Sequence, residues 1–308
     1  MAVAKNGIAG EHPQKITSVI LFVNMHKKNA GQTAGEIRRE LESRNIAVTV
    51  FSFNGRPEYS PQGKWDIAFS LGGDGTVLYT ARTLAGTGTP ILPLYFGTMG
   101  FIAGVQKSDW LSVFGQWMQG TARISRRCML ELSVERGGET AAGNTCLNDA
   151  VIAASGIAKL IRLQVQAEIA PGVFTDLGYY RSDGLIISTP TGSTAYSMAA
   201  GGPILDPEME ALIINPICPF TLSNRPLVLP ARQSLVITVA KEQRSAVLLT
   251  VDGQDTFALE PEDRITIRHA VHYALLISAD RSAYYSAIRA KLAWDGSGDS
   301  GPNGDGNA

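Results

Sequence analysis

Leu71-Gly72-Gly73-Asp74-Gly75-Thr76 sets three glycines around a single carboxylate. The stretch follows an apolar run, Trp65-Asp66-Ile67-Ala68-Phe69-Ser70, and precedes Val77, Leu78, Ala81 and Leu84 at helical spacing. A strand, a tight glycine turn and a helix start make an anion site: the glycines let backbone approach a phosphate, and the N–H groups of the helix start point at it. An acid held in such a turn repels phosphate unless it has a task of its own, which makes Asp74 the first catalytic candidate. The motif is not a dinucleotide fingerprint, because Leu78 occupies the third glycine position, and no lysine follows to make a P-loop.

Outward from this turn, the first part of the chain alternates strand and helix. Ile16 to Val23, Ile46 to Phe53, Trp65 to Leu71 and Pro90 to Phe96 read as strands. Ala30 to Ser43, Thr76 to Ala85 and Asp109 to Met118 read as helices. That alternation predicts a parallel sheet covered on both faces, with ligands at the carboxyl ends of its strands. Near residue 125 the texture changes. Leu130 to Glu135, Asn148 to Ala153, Leu160 to Ile169, Gly184 to Ser188, Leu235 to Ala240, Ala246 to Val251 and Ile265 to Arg268 are short β-type runs punctuated by Gly, Asn, Asp and Pro, and predict a largely antiparallel second domain. Asp295 to Ala308, rich in Gly, Ser, Asp and Asn, reads as a disordered tail.

Composition narrows the function classes. The 308 residues are 44% hydrophobic with a formal net charge of −1, so no basic excess points to nucleic acid and no acidic tract to a solvating tail. The apolar runs are short and interrupted, which argues against a membrane span. Met1 to Gly10 lacks the apolar core of a secretory signal. Cys128, Cys146 and Cys218 are odd in number, with no CxxC, and read as reduced thiols of a cytoplasmic protein.

Three further motifs carry chemistry. Asn148-Asp149 places an amide beside a carboxylate before the apolar Ala150-Val151-Ile152; such a pair can grip vicinal ribose hydroxyls, and an Asn-Asp turn before a strand reads equally well. Arg181-Ser182-Asp183-Gly184 leads into Ser188-Thr189-Pro190-Thr191-Gly192-Ser193-Thr194-Ala195-Tyr196-Ser197, a run dense in small hydroxylated residues. A structural loop seldom needs so many donors, and Thr194-Ala195 opens a helix whose N–H groups and hydroxyls would face a ligand. Val251-Asp252-Gly253-Gln254 reads first as a hairpin turn, with Gln254 kept as a candidate ligand residue. His269 and His272 are spaced HxxH, but no Cys or acid completes a metal set; with His26 they read as surface or packing residues.

Taken together these residues resemble the NAD kinase family, the ATP-dependent NAD 2′-phosphotransferases. The resemblance runs from about Ile16 to Trp294 and rests on Gly72-Gly73-Asp74-Gly75, Asn148-Asp149 and Asp183 through Ser197. Cys218-Pro219, Asn224-Arg225-Pro226-Leu227-Val228-Leu229-Pro230 and Lys291-Leu292-Ala293-Trp294 also match. It implies an α/β, Rossmann-like N-terminal domain (1–125, joined by the returning segment 281–294) and an all-β, β-sandwich-like C-terminal domain (126–280), with the NAD site between them. Asp74 would be the general base that takes the proton of the adenosine 2′-hydroxyl as that oxygen attacks the γ-phosphate of ATP. The amides of Gly72, Gly73 and Gly75, with Mg²⁺ or another divalent cation brought by ATP, would balance the phosphate charge. Asn148 and Asp149 would hold a ribose, and Asp183 would bind near the nicotinamide with Arg181 beside it. Thr194, Ala195, Tyr196 and Ser197 would line the adenine and ribose. Phe101, Lys159, Thr191 and Gln254 complete the nucleotide-binding candidates. NAD and ATP are the expected partners, with a dimeric or tetrameric homo-oligomer, no nucleic acid and no membrane.

The chain departs from the family pattern in three places. The second glycine loop, Tyr95-Phe96-Gly97-Thr98-Met99-Gly100-Phe101, lacks the usual Asn and basic residue, which removes the side chains on which a hydrogen-bonding role for this loop would rest. Phe220 replaces the usual histidine after Cys218-Pro219. Asp149 stands where Glu is common, keeping the chemistry with a shorter reach. The rival readings are a lipid kinase with the same glycine turn, which should present a membrane-facing patch, and a non-catalytic NAD(H) sensor, which has no need of Asp74.

Overall fold

The computed structural model describes residues 16–294 apart from 58, 98, 103, 157–158, 222, 279–281 and 293. The tail expected at 295–308 and the leader reading of residues 1–10 lie outside the described residues. The chain forms two compact units, 1–77 with 90–124 and 276–308, and 78–89 with 125–275.

The first unit is α/β. Its elements are β1 (Ser18–Asn24), α1 (Ala30–Ser43), β2 (Ala47–Phe53), β3 (Ile67–Gly72), α2 (Asp74–Thr83, which continues into the second unit), β4 (Ile91–Tyr95), β5 (Val105–Gln106) and α3 (Trp110–Met118). The strands pair in parallel in the order β4-β3-β1-β2, with Val19 opposite both Val48 and Ile67, and Leu71 opposite Leu94. Strands β1, β3 and β4 are near-continuous apolar runs because both of their faces are buried. On one face Val19, Leu21, Val23, Phe69 and Leu71 pack with Ile37 and Leu41 of α1 and with Trp110, Phe114 and Trp117 of α3. Helix α1 turns Ala30, Ala34, Ile37 and Leu41 inward and leaves the Arg38–Glu42 pair exposed. Helix α2 starts at Asp74, two residues before the expected Thr76, because the Gly73 carbonyl already accepts the N–H groups of Thr76 and Val77.

The second unit is β-rich. It contains β6 (Arg123–Arg136), β7 (Glu139–Cys146), β8 (Asp149–Ala154), β9 (Ile161–Ala170), β10 (Val173–Ser182), β11 (Gly184–Ser188) and the short helix α4 (Tyr196–Ala199). Strands β12 (Ala211–Ile217), β13 (Leu227–Pro230), β14 (Leu235–Val239), β15 (Val247–Val251), β16 (Asp255–Leu259) and β17 (Arg264–Ser278) follow. Helix α5 (Ser282–Lys291) belongs to the first unit. One antiparallel sheet runs β13-β12-β11-β8-β15-β16. The other runs β10-β9-β14-β17, and the β6–β7 hairpin joins it through β17. Alternate residues of the two sheets form one core: Ile152, Ile187, Ile214 and Leu249 from the first, Leu163, Ile237, Ile265 and Leu132 from the second. This is a β-sandwich.

Residues 78–89 fall within the span expected for the N-terminal domain but group with the second unit. Arg82 is the reason: its guanidinium pairs with Asp255 and donates to Gln254 Oε1 at 3.1 Å. Strands β7, β10, β12, β13 and β16 are absent from the β-type runs read in the sequence. Strand β7, Glu-Thr-Ala-Ala-Gly-Asn-Thr-Cys, carries little β propensity, and its pairing is set by the left-handed Gly137-Gly138 turn. Among the described residues no helix is long and apolar enough to cross a membrane.

Two glycine replacements should move stability in opposite directions. Gly184 lies between β8 and β12, where an added Cβ would sit 2.8 Å from Ile217 Cδ1 and 2.9 Å from the Ile152 carbonyl. Neither paired strand can give way, so Gly184→Ala should lower stability by about 1–3 kcal/mol. Gly35, exposed within α1 and with nothing near its Cβ position, should give the reverse: Gly35→Ala gains about 0.5–1 kcal/mol from helix propensity. Urea midpoints of the two variants check both signs.

Candidate functional site

The first cluster lies at the carboxyl end of β3. Asp74 occupies the first turn of α2, where helix N–H groups have no intrahelical carbonyl partner. Its Oδ2 accepts the N–H of Phe101 at 3.0 Å and its Oδ1 the N–H of Ile102 at 3.2 Å. The second glycine loop therefore does have a hydrogen-bonding role, carried by backbone amides rather than by the missing side chains. Gly100 makes it possible, because a Cβ there would overlap the Asp74 carboxylate. Among the glycines of the Asp74 motif, none of Gly72, Gly73 and Gly75 takes a left-handed φ. Gly72 is required instead by close approach, since a Cβ would run into the Thr76 side chain. Beside Gly73 lies the Lys27 ammonium, 3.9 Å from where a Cβ would be. The Phe101 ring carries the Lys291 ammonium 4.3 Å from its centroid.

The second cluster, within the β-rich unit, surrounds Leu147-Asn148-Asp149 at the start of β8. Asn148 and Asp149 are buried, 8% and 4% exposed. The Asp252 carboxylate accepts the N–H groups of Leu147 at 3.0 Å, Asn148 at 2.7 Å and Asp149 at 3.2 Å. On the other side, Thr189 donates its hydroxyl to the Leu147 carbonyl at 2.6 Å and its N–H to the Asn148 carbonyl at 2.8 Å. Gly192 lies against the Asn148 carbonyl so closely that no Cβ fits. Among the described residues nothing donates a hydrogen bond to the Asp149 carboxylate. Burial, and then the neighbouring Asp252, push its pKa up to about 7. Burial raises Asp252 as well, against the lowering effect of its amide donors and of Arg82.

The hydroxyl-rich run is mostly spent on the fold. Ser193 donates to the Pro190 carbonyl at 2.6 Å and accepts the Leu205 N–H at 3.0 Å; Thr194 donates to the Thr191 carbonyl at 3.3 Å. Ser197, buried, accepts the Asn215 amide through its carbonyl at 2.8 Å and its hydroxyl at 3.3 Å. The expectation that so many donors await a ligand is thus corrected: backbone carbonyls in a tightly folded connection take most of them. Three buried polar atoms in this neighbourhood have no hydrogen-bond partner among the described residues, Asn148 Oδ1, Thr191 Oγ1 and Asn215 Oδ1. Buried polar atoms are rarely left so, which makes this neighbourhood a candidate for a ligand. The helix expected from Thr194 is a single 3-10 turn, Gly192–Thr194, followed by α4, with half-buried Ala195 at their junction and Tyr196 exposed.

Arg181 and Asp183 are not gathered there. In the β8–β11 pairing Ser188 stands opposite Asp149 and Gly184 opposite Ala153, which puts Asp183 at the far end of these strands, about 16 Å away at a strand's rise per residue. Arg181 is exposed and stacks over the Phe220 ring, 4.4 Å from its centroid. Lys159 is exposed. Gln254 lies in the hairpin turn between β15 and β16, as expected for that motif, and is engaged by Arg82. Motif reading does not single out Arg82 or give Asp252 a ligand. The available signal was the acid of Val251-Asp252-Gly253-Gln254, a residue type at home in the left-handed conformation it adopts. Cys146 and Cys128 are buried free thiols raised by burial, Cys128 to about 11, while Cys218 is exposed.

Comparison with known proteins places this geometry. Residues 56–122 match the ATP-NAD kinase N-terminal domain and residues 147–279 the ATP-NAD kinase C-terminal domain. An NAD kinase of Treponema denticola is 38% identical over 281 residues, covering 91% of this chain and 97% of the relative. An NAD kinase of Moorella thermoacetica is 38% identical, covering 90% and 89%. Among solved structures, yeast NADH kinase complexed with NADH superposes with a TM-score of 0.79 at 24% identity, covering 92% of this chain and 90% of that one. An Archaeoglobus fulgidus NAD kinase in complex with ATP gives 0.66 at 20% identity, covering 89% and 97%; both likenesses speak to the fold. The chain belongs to the ATP-NAD kinase family of phosphotransferases.

Proposed function

We propose that this chain transfers the γ-phosphate of ATP to the 2′-hydroxyl of the adenosine ribose of NAD, giving NADP, with Asp74 as general base and Asn148 and Asp149 as the ribose grip. The carrying observation is that Asn148 Oδ1 and Thr191 Oγ1 are buried without a partner among the described residues, on the segments that hold buried Asp149 and Gly192. A ribose supplies hydroxyl donors to the amide and carboxylate, and an adenine supplies ring nitrogens and an amino group to the threonine. In the reaction the 2′-oxygen forms a bond to the γ-phosphorus, the bond to the ADP oxygen breaks, and the 2′-proton passes to Asp74. Two backbone amides fix the orientation of that carboxylate, and a general base must be held in one direction toward the hydroxyl it deprotonates.

Among the described residues no three His, Cys, Asp or Glu side chains form a metal cage. Magnesium, which favours phosphate oxygens and water over all-protein cages, is expected to arrive with ATP. Bound there, it would neutralise phosphate charge. The chain's own contribution to the phosphates is the glycine turn and the N-terminus of α2. Resemblance to the family supports a cytoplasmic homo-oligomer.

With ATP, Mg²⁺ and NAD the purified protein should form NADP, and Asp74→Asn should lower kcat by about 10²–10⁴-fold while leaving the thermal transition in place. A folded Asp74→Asn enzyme of undiminished rate would remove Asp74 from the chemistry. The second expectation concerns pH. A ribose hydroxyl donates to an ionised carboxylate, and Asp149 ionises at about 7, so NAD affinity should rise as pH passes upward through that value. Calorimetric titration of NAD between about pH 5.5 and 8.5 should show this for the wild type and a flat profile for Asp149→Asn.

A further inference from the structure

Asp252 holds a conformation that most residues avoid. Its φ of 50° lies in the left-handed region, which Asp and Asn tolerate better than other side chains. That backbone setting folds the carboxylate back onto the connection between β7 and β8. Oδ2 accepts one amide and Oδ1 two, from three consecutive residues, and the Asp252 N–H donates to the Asp149 carbonyl at 2.9 Å. A carboxylate has about four acceptor sites on its two oxygens, whereas an Asn at the same place would offer two on one oxygen and turn an NH₂ toward the remaining amide.

Arg82 holds the same turn from the other side. Its side chain is 11% exposed, its Nε lies 4.0 Å from Asp252 Oδ2, its Nη2 pairs with Asp255, and its Nη1 donates to Gln254 at 3.1 Å. Asp255 in turn accepts the Asn144 amide at 3.1 Å. One guanidinium therefore spans residues 252, 254 and 255. A planar fork with five donors can do this, and the single ammonium of a lysine cannot. Neither side chain is needed to fill the sandwich core, which is built from the apolar residues of the two sheets. What they fix is the backbone of Leu147-Asn148-Asp149.

We propose that Arg82 and Asp252 are a positioning pair for nucleoside recognition: Arg82 anchors the turn of residues 252–255, and Asp252 clamps three consecutive amides so that the Asn148 and Asp149 side chains meet the ribose in one orientation. The inference rests on the NAD kinase reading of this site. It separates two roles within the reaction, with the pair governing how tightly NAD is held and the Asp74 turn governing transfer.

Asp252→Asn keeps the volume and tolerates the same φ, so it tests the clamp without straining the backbone. Arg82→Lys keeps the charge and removes the fork. Steady-state kinetics with each substrate varied, and calorimetric titration of NAD in the absence of ATP, provide the readouts. In both variants KM and Kd for NAD should rise by about tenfold or more, while kcat and KM for ATP stay within about threefold of wild type. A purely structural role would instead erode all of these together with the thermal transition. NAD affinity within about twofold of wild type in a folded variant, or equal losses for NAD and ATP, overturns the proposal. Should Asp252→Asn fail to fold, the Kd of Arg82→Lys for NAD decides by the same criterion. Wild-type protein that forms no NADP would overturn the NAD kinase reading itself, an outcome visible before any variant is made.

Discussion

The contact on which the first cluster depends is between an acid and an empty space. The Asp74 carboxylate fits where a side chain at residue 100 would be, and from there it accepts two amides of a loop 27 and 28 residues further along the chain. The parallel sheet makes this meeting possible, since the segments after β3 and β4 leave adjacent strands at the same edge. Tied to two backbone donors the carboxylate has a fixed direction, which the proposed base acting on one particular hydroxyl would require.

The β-rich unit uses backbone and side chain in the opposite sense. There a side chain, Asp252, satisfies three consecutive amides at the entry to β8, and small hydroxyls at 188, 189 and 193 satisfy backbone carbonyls. The connection is thereby rigid without regular secondary structure. Rigid connections that leave a few polar atoms unmatched suit ligand recognition, because the unmatched atoms cannot relax toward one another. Asn148 Oδ1 and Thr191 Oγ1 are among the buried atoms this connection leaves unmatched.

Much of this was legible in the residues. The bounds of α1 and β11 follow directly from helical spacing and from a continuous apolar run ended by Gly and Thr, and Asp74, Asn148 and Asp149 stand out because acids and amides are unusual beside strands and glycines. The less legible features depend on partners remote in sequence. Arg82 looks like one more basic residue at a helix end until Asp252 and Asp255, some 170 residues later, are seen around it. Strand β10 is an edge strand with mixed exposure, so its pattern is blurred, and β7 is held by its turn more than by its composition. The hydroxyl-rich run shows the converse error. Composition reveals donors but not where they are spent, and here carbonyls of the chain itself were the main recipients.

The buried acid pair has a consequence for the empty protein. Asp149 ionises at a higher pH in the folded chain than in an unfolded one, so the fold binds its proton more tightly. The stability associated with this group is fully present below the unfolded value near 4, declines as pH rises through about 7, and is gone above it. A ribose hydroxyl donating to Asp149, as proposed, would favour the ionised form and offset that loss. On the proposed reading, a nucleotide bound at neutral or alkaline pH would then support the β-rich unit as well as react there.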